Sequence, residues 1–172
     1  MTKNILVLAG ANPEHNLPWT QRLEIYLKNK FPDYTIHTFI FNHWKDSTLQ
    51  PDATKDSQRL NELLTTLDKP EIVAKSYGTI VTLESLKYNS ALISNVILMG
   101  LPLNPDTAED KNRLDEYLKN ITNQILFVQQ ENDKYVPAKP IGDYLASANH
   151  PSFVLKQITG SDHRYDEFEQ YV

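Results

Sequence analysis

The 172-residue chain contains no cysteine, which excludes disulfides, thiolate metal sites and a cysteine nucleophile. It has only five glycines, too few and too scattered for a phosphate-cradling loop. The stretch Gly10-Ala-Asn-Pro matches neither Gly-x-Gly-x-x-Gly nor a P-loop, so nucleotide binding lacks its glycines. Long hydrophobic runs are missing too. Ile5-Leu-Val-Leu-Ala9 is too short for a membrane span or a secretory core, and a cytoplasmic location is the expectation. Excess positive charge is lacking: the net charge is −5, which gives no electrostatic case for nucleic acid or anionic membrane. His15, His37, His43 and His150 show no metal-ligand spacing. No metal or organic cofactor is expected.

What is present is ordinary globular material, 40% hydrophobic and 23% charged, in a length that fits one domain over 1–172. Apolar runs alternate with helical patterns throughout. The patterning predicts strands over 5–9, 34–41, 71–74, 94–99, 124–129 and 152–157. It predicts helices over 19–31, 53–67, 79–88, 106–120 and 140–148, and a short acidic helix at the end. Residues 43–52 read as a polar connection. Such alternation implies an α/β fold: a parallel sheet between two layers of helices, joined by right-handed crossovers.

In an open parallel sheet, ligands bind at the carboxyl ends of the strands. Three loops there carry a hydroxyl, a carboxylate and an imidazole. The third strand runs into Lys75-Ser76-Tyr77-Gly78, the fifth into Glu131-Asn132-Asp133, and the sixth into Gly160-Ser161-Asp162-His163. A serine that attacks a carbonyl must stand clear of the sheet on a tight strand-to-helix turn, with small residues two positions before and after. Ala74 and Gly78 meet that need. Serine needs a base, and the base an orienting acid. His163 suits the first role and Asp133 the second. Asp162 is set aside because neighbouring loop side chains rarely face each other. Taken singly, each has a plainer reading: Ser76 as a helix N-cap, Asp133 as a turn residue, His163 as a solvated loop histidine. Their joint order, Ser then Asp then His, at three strand ends favours the triad.

The Tyr77 N–H, at a helix start, is one candidate oxyanion donor. The loop after the first strand should give another, from Ala11 or, as an alternative, Asn12. Asn12, Trp19 and Trp44, with Tyr77, are candidates for lining a substrate pocket, although the tryptophans also suit packing. Lys75 is expected to point away from the nucleophile.

These motifs resemble those of small α/β-hydrolase-fold proteins. Val73-Ala-Lys-Ser76-Tyr-Gly-Thr79 is similar to their nucleophile elbow, Glu131-Asn-Asp133-Lys-Tyr-Val-Pro137 to their acid loop, and Gly160-Ser-Asp-His163 to their histidine loop. The resemblance covers nearly the whole chain. It implies a six-stranded sheet in the order 2-1-3-4-5-6 and a minimal α/β-hydrolase fold. The family usually has two further N-terminal strands, a His-Gly pair where this chain has Ala9-Gly10, and often a lid; between Gly100 and Gln124 there is room for one helix only. The resemblance implies a serine hydrolase of carboxylic esters or thioesters acting on a small-molecule acyl substrate, with a shallow site suited to short acyl groups. The alternatives are a binding protein on a hydrolase fold and an acyltransferase.

Overall fold

The computed structural model describes residues 3–172; residues 1 and 2, which the expected domain span includes, lie outside the described residues. The strands are β1 (Lys3–Leu8), β2 (Tyr34–Thr38), β3 (Glu71–Lys75), β4 (Asn95–Met99), β5 (Gln124–Gln130) and β6 (Phe153–Ile158). The helices are α1 (Pro13–Lys30), α2 (Asn42–Lys45), α3 (Ala53–Leu64), α4 (Tyr77–Asn89), α5 (Ala108–Leu118) and α6 (Ala138–Ala148). Single 3-10 turns follow at Ser90–Leu92 and Phe168–Gln170, the latter in place of the expected closing helix. All strand pairs are parallel, in the order β2-β1-β3-β4-β5-β6, which is the expected order.

Strand alternation sorts the core into two layers. Leu6, Leu8, Ile72, Ala74, Val96, Leu98, Ile125 and Phe127 face α3, α4, α5 and α6, whose Leu60, Leu64, Val81, Leu83, Leu114 and Ile141 close that side. Ile5, Val7, Val73, Met99 and Val128 face the other way, against Trp19, Leu23 and Leu27 of α1 and Tyr165 and Phe168 of the C-terminal segment. The second layer is thinner, with one long helix and an irregular tail, and the candidate site opens beside it.

Several elements differ in extent from expectation, β2 for instance ending at Thr38 and not at 41, and three differences have plain physical reasons. Helix α1 starts at Pro13, not 19, because Asn12-Pro13 is a start signal. The Asn12 side chain accepts the Glu14 N–H at 2.8 Å, and proline at the first helical position gives up only an N–H that has no intrahelical partner. Helix α3 stops at Leu64, where Thr65 and Thr66 turn their hydroxyls back onto the Glu62 and Leu63 carbonyls. The expected connection after β2 holds the single turn α2, which carries His43 and Trp44 inward.

Candidate active site

The strand ends place the chemistry, and the first piece is Ser76. It sits between β3 and α4 with φ 53° and ψ −120°, a conformation that costs a non-glycine residue about 1–3 kcal/mol. Neighbouring backbone holds it there. Its N–H donates to the Met99 carbonyl at 2.8 Å, and its carbonyl accepts from the Thr79 N–H at 2.9 Å and the Thr79 hydroxyl at 2.6 Å. The Gly78 N–H donates to the Ala9 carbonyl at 3.0 Å. A Cβ at Gly78 would lie 2.7 Å from the carbonyl oxygens of Leu8 and Ala9, so only glycine lets α4 start this close to β1.

His163 lies on the loop after β6, also at positive φ (62°). Its Nε2 is 2.8 Å from the Ser76 hydroxyl oxygen, and its Nδ1 is 2.6 Å from Asp133 Oδ2. An ionised carboxylate only accepts, so Asp133 fixes the proton on Nδ1 and leaves the Nε2 lone pair facing the Ser76 hydroxyl. Burial pushes the Asp133 carboxyl up, but the hydrogen bonds from His163, the Tyr135 N–H and the Tyr165 hydroxyl outweigh it and hold the group below the usual carboxylate range. Asp162 instead accepts from Gln130 Nε2 at 3.0 Å and from the Arg164 N–H at 2.9 Å.

A frame that sequence reasoning missed holds this chain of groups. The Tyr165 hydroxyl donates to Asp133 Oδ2 at 2.7 Å and accepts the Gln130 N–H at 3.0 Å, while Gln130 Oε1 accepts the His163 N–H at 2.8 Å. Gly100, after β4, makes room for both rings: a Cβ there would lie 2.5 Å from Tyr165 and 2.8 Å from His163. The exposed Tyr135 ring lies edge-on to the His163 ring, 4.6 Å between centroids. The histidine-x-tyrosine spacing gives no signal for this frame, because Tyr165 reaches Asp133 through its own left-handed backbone, φ 54°.

Among the described residues, the Tyr77 and Ala11 N–H groups have no protein acceptor, as oxyanion donors require. The Ala11 carbonyl is turned the other way, where Trp44 Nε1 donates to it at 2.9 Å and His43 Nε2 sits at 3.0 Å. Trp44 therefore does not line the cleft: its indole is spent on holding the loop after β1, and the expectation of a substrate contact is corrected. The Tyr77 ring is likewise outside the cleft, packed on Phe41 with its hydroxyl donating to Asp56 at 2.7 Å.

A family model described as an alpha/beta hydrolase domain matches residues 2–170. The chain belongs to the alpha/beta hydrolase family. Solved structures agree on the fold. A Pyrococcus furiosus esterase aligns with TM-score 0.75 at 13% identity over 98% of this chain and 78% of its own. A lipase-esterase related protein from Clostridium acetobutylicum aligns with TM-score 0.72 at 13% identity, over 99% of this chain and 95% of its own. A meta-cleavage product hydrolase from Pseudomonas fluorescens aligns with TM-score 0.68 at 14% identity, over 98% and 86%. No curated protein matches the chain.

In this hydrolase domain, Ser76 and His163 open onto a cleft of about 550 Å³ between the first half of α1 and the loop after β6. Asn12 and Trp19 line it, though the Trp19 indole is buried and donates to the Tyr165 carbonyl at 2.9 Å. Lys75 lines it as well. It follows Val73 by two positions, so strand alternation sends its side chain to the α1 side, where its ammonium donates to Asn16 Oδ1 at 3.1 Å. Of the remaining histidines, the His37 ring is 3.0 Å from Asn4 Oδ1, His150 stacks on Phe153, and His15 lines the cleft. Among the described residues, no three His, Cys, Asp or Glu are grouped to hold a metal ion, and no helix is long and apolar enough to cross a membrane.

Proposed function

We propose that the chain is a serine hydrolase that cleaves a carboxylic ester or thioester through an acyl-enzyme on Ser76. The observation that carries the reading is the hydrogen-bonded chain from Ser76 to His163 to Asp133, at 2.8 and 2.6 Å, opening on a cleft. Ser76 Oγ bonds to the substrate carbonyl carbon while its proton passes to His163 Nε2. The carbonyl electron pair moves to oxygen, where the N–H groups of Tyr77 and Ala11 receive the negative charge. Collapse restores the carbonyl and breaks the bond to the alcohol or thiol, which leaves with the proton from His163. Water then attacks the acyl-Ser76 carbonyl and gives a proton to His163, and collapse breaks the bond to Ser76 Oγ, which takes that proton back as the acid leaves. Asp133 holds the imidazole in the needed tautomer and stabilises its charged form.

A binding protein on this fold has no use for a strained serine bonded to an oriented histidine. An acyltransferase would share the first half of the mechanism and differ only in the acceptor. The test is turnover of 4-nitrophenyl acetate, 4-nitrophenyl butyrate and a short acyl thioester. Activity is expected on at least one, falling at least about 10³-fold in Ser76→Ala. Full turnover in that variant would remove Ser76 from the mechanism.

A further inference from the structure

Lys75, beside the nucleophile, is the only buried lysine or arginine among the described residues, with 5% of its surface exposed. Its ammonium rests 4.8 Å from the centroid of the Trp19 ring and gives one hydrogen bond, to Asn16 Oδ1. An ammonium carries three donors. Among the described residues no carboxylate lies within ion-pair distance of Lys75, so two donors are left at the wall of the cleft. A buried cation without a counter-ion is destabilising. Burial accordingly lowers its pKa to about 8, with Asp166 and Asp162 acting to raise it and Arg22 and Arg164 to lower it further.

The rest of the cleft points the same way. Its cations are Arg22, Lys75, Lys134 and Arg164, and its acids are Glu14, Asp162 and Asp166. Arg22 is taken by Asp166, and Arg164 faces Asp162 at 4.0 Å. The exposed Lys134 lies beside the Tyr135 ring. In a chain of net charge −5, the one buried, unpaired lysine or arginine among the described residues thus adjoins Ser76. An anion arriving from solvent would complete the site: it would accept the free donors of Lys75 and supply the counter-charge.

We infer that the hydrolase acts on substrates that carry a carboxylate in addition to the scissile acyl group, and that Lys75 binds that carboxylate. This rests on the reading of Ser76 as nucleophile and goes beyond it by naming the substrate class and the residue that selects it. Asn16 and Trp19 act through Lys75: one takes a donor so that the ammonium has a fixed direction, the other supports it from below.

The experiment compares kcat/KM for two charged–neutral ester pairs. The acyl-side pair is 4-nitrophenyl hemiglutarate and its methyl ester. The leaving-group pair is 4-carboxyphenyl acetate and its methyl ester. Wild-type enzyme at pH 7 is expected to favour the charged member of one pair by about tenfold or more, and the pair that shows it tells which side of the scissile bond faces Lys75. Lys75→Met should shrink that ratio at least about fivefold, and Lys75→Arg should restore part of it. No preference in wild type, or one that survives Lys75→Met, overturns the inference. If Lys75→Met does not fold, the wild-type ratio from pH 7 to 10 decides instead. It must decline as the ammonium loses its proton around pH 8, and a ratio that stays high to pH 10 is contrary. Ser76-dependent turnover with no carboxylate preference would sink this inference alone. If no ester is turned over, calorimetric titration of glutarate against glutaramide decides it: selective glutarate binding, weakened in Lys75→Met, supports the carboxylate site, and equal binding overturns it.

Discussion

Among the described residues, two aspartate–histidine pairs lie buried. His163 and Asp133 are 7% and 2% exposed, His43 and Asp56 9% and 4%. By residue type and burial they are alike; by geometry they are opposites. Asp133 touches His163 Nδ1 at 2.6 Å, whereas Asp56 stands 4.0 Å from His43 Nδ1. The far nitrogen makes the larger difference. His163 Nε2 faces a serine hydroxyl, and with the proton held on Nδ1 by Asp133 it carries the lone pair. His43 Nε2 faces the Ala11 carbonyl, which only accepts, so it carries the proton. The first ring can take a proton from Ser76; the second has already spent its donor on holding a loop. Asp56, meanwhile, accepts from the Tyr77 hydroxyl and Arg59. The second pair braces the two segments that carry the proposed oxyanion donors. An Asp beside a His is therefore not by itself a catalytic pair; what the outer nitrogen meets decides.

Substitution can break the comparison. The largest difference is expected between the two aspartates. Asp133→Asn should lower kcat on a short ester by about 10³–10⁴-fold, because an amide can donate to Nδ1 and favour the wrong tautomer. Asp56→Asn, which leaves a polar partner for Tyr77, should cost less than about tenfold. Comparable losses in folded variants, checked by circular dichroism, would erase the distinction. Gly100→Ala comes next, since its methyl group would collide with both His163 and Tyr165. An ångström-scale displacement of the base predicts about 10²-fold lower kcat/KM, with a melting temperature depressed as for a loss of about 1–3 kcal/mol.

Lys75→Met should raise stability while impairing selectivity. The folded pKa of Lys75 lies below its unfolded value, near 8 against 10.5. Between those values the unfolded chain binds the extra proton, so wild-type stability rises with pH across that window, and the penalty is fully present below about pH 8. The variant should therefore gain about 1–2 kcal/mol at pH 7 in urea unfolding, and the gap should close toward pH 10. A gap that stays constant with pH would show that Lys75 is not buried as a cation. The smallest effect is assigned to Trp44→Phe, which removes one of the two groups on the Ala11 carbonyl. It should lower kcat/KM about two- to fivefold. No change at all would mean that His43 alone holds the loop.

The sheet order followed from the resemblance to α/β-hydrolase-fold proteins, but the closeness of Ser76, Asp133 and His163 was readable in the residues themselves for one reason. Each residue ends a strong strand pattern, and a parallel sheet brings strand ends to one edge. The frame around them was not. Tyr165 and His163 reach their partners through left-handed backbone that no periodicity encodes. Gly100 matters for the space it leaves, which only the assembled loops define. Trp44 was misread because size and aromaticity do not say whether an indole faces a cavity or a carbonyl. Lys75 was different, since its signal was present: it shares strand parity with Val73 and so had to emerge on the α1 side. The structure continues β3 through Lys75, one residue beyond the expected strand, and so carries that parity to the wall of the cleft.

The central claim is that Ser76 is an activated nucleophile, with His163 as its base. It is tested most directly by treating the folded protein with a fluorophosphonate serine probe and mapping the labelled peptide. The account predicts one adduct, on Ser76, with labelling sharply slowed in His163→Ala and slowed far less in His43→Ala. Folded wild-type protein that takes no label at Ser76, or labels equally fast without His163, would contradict it.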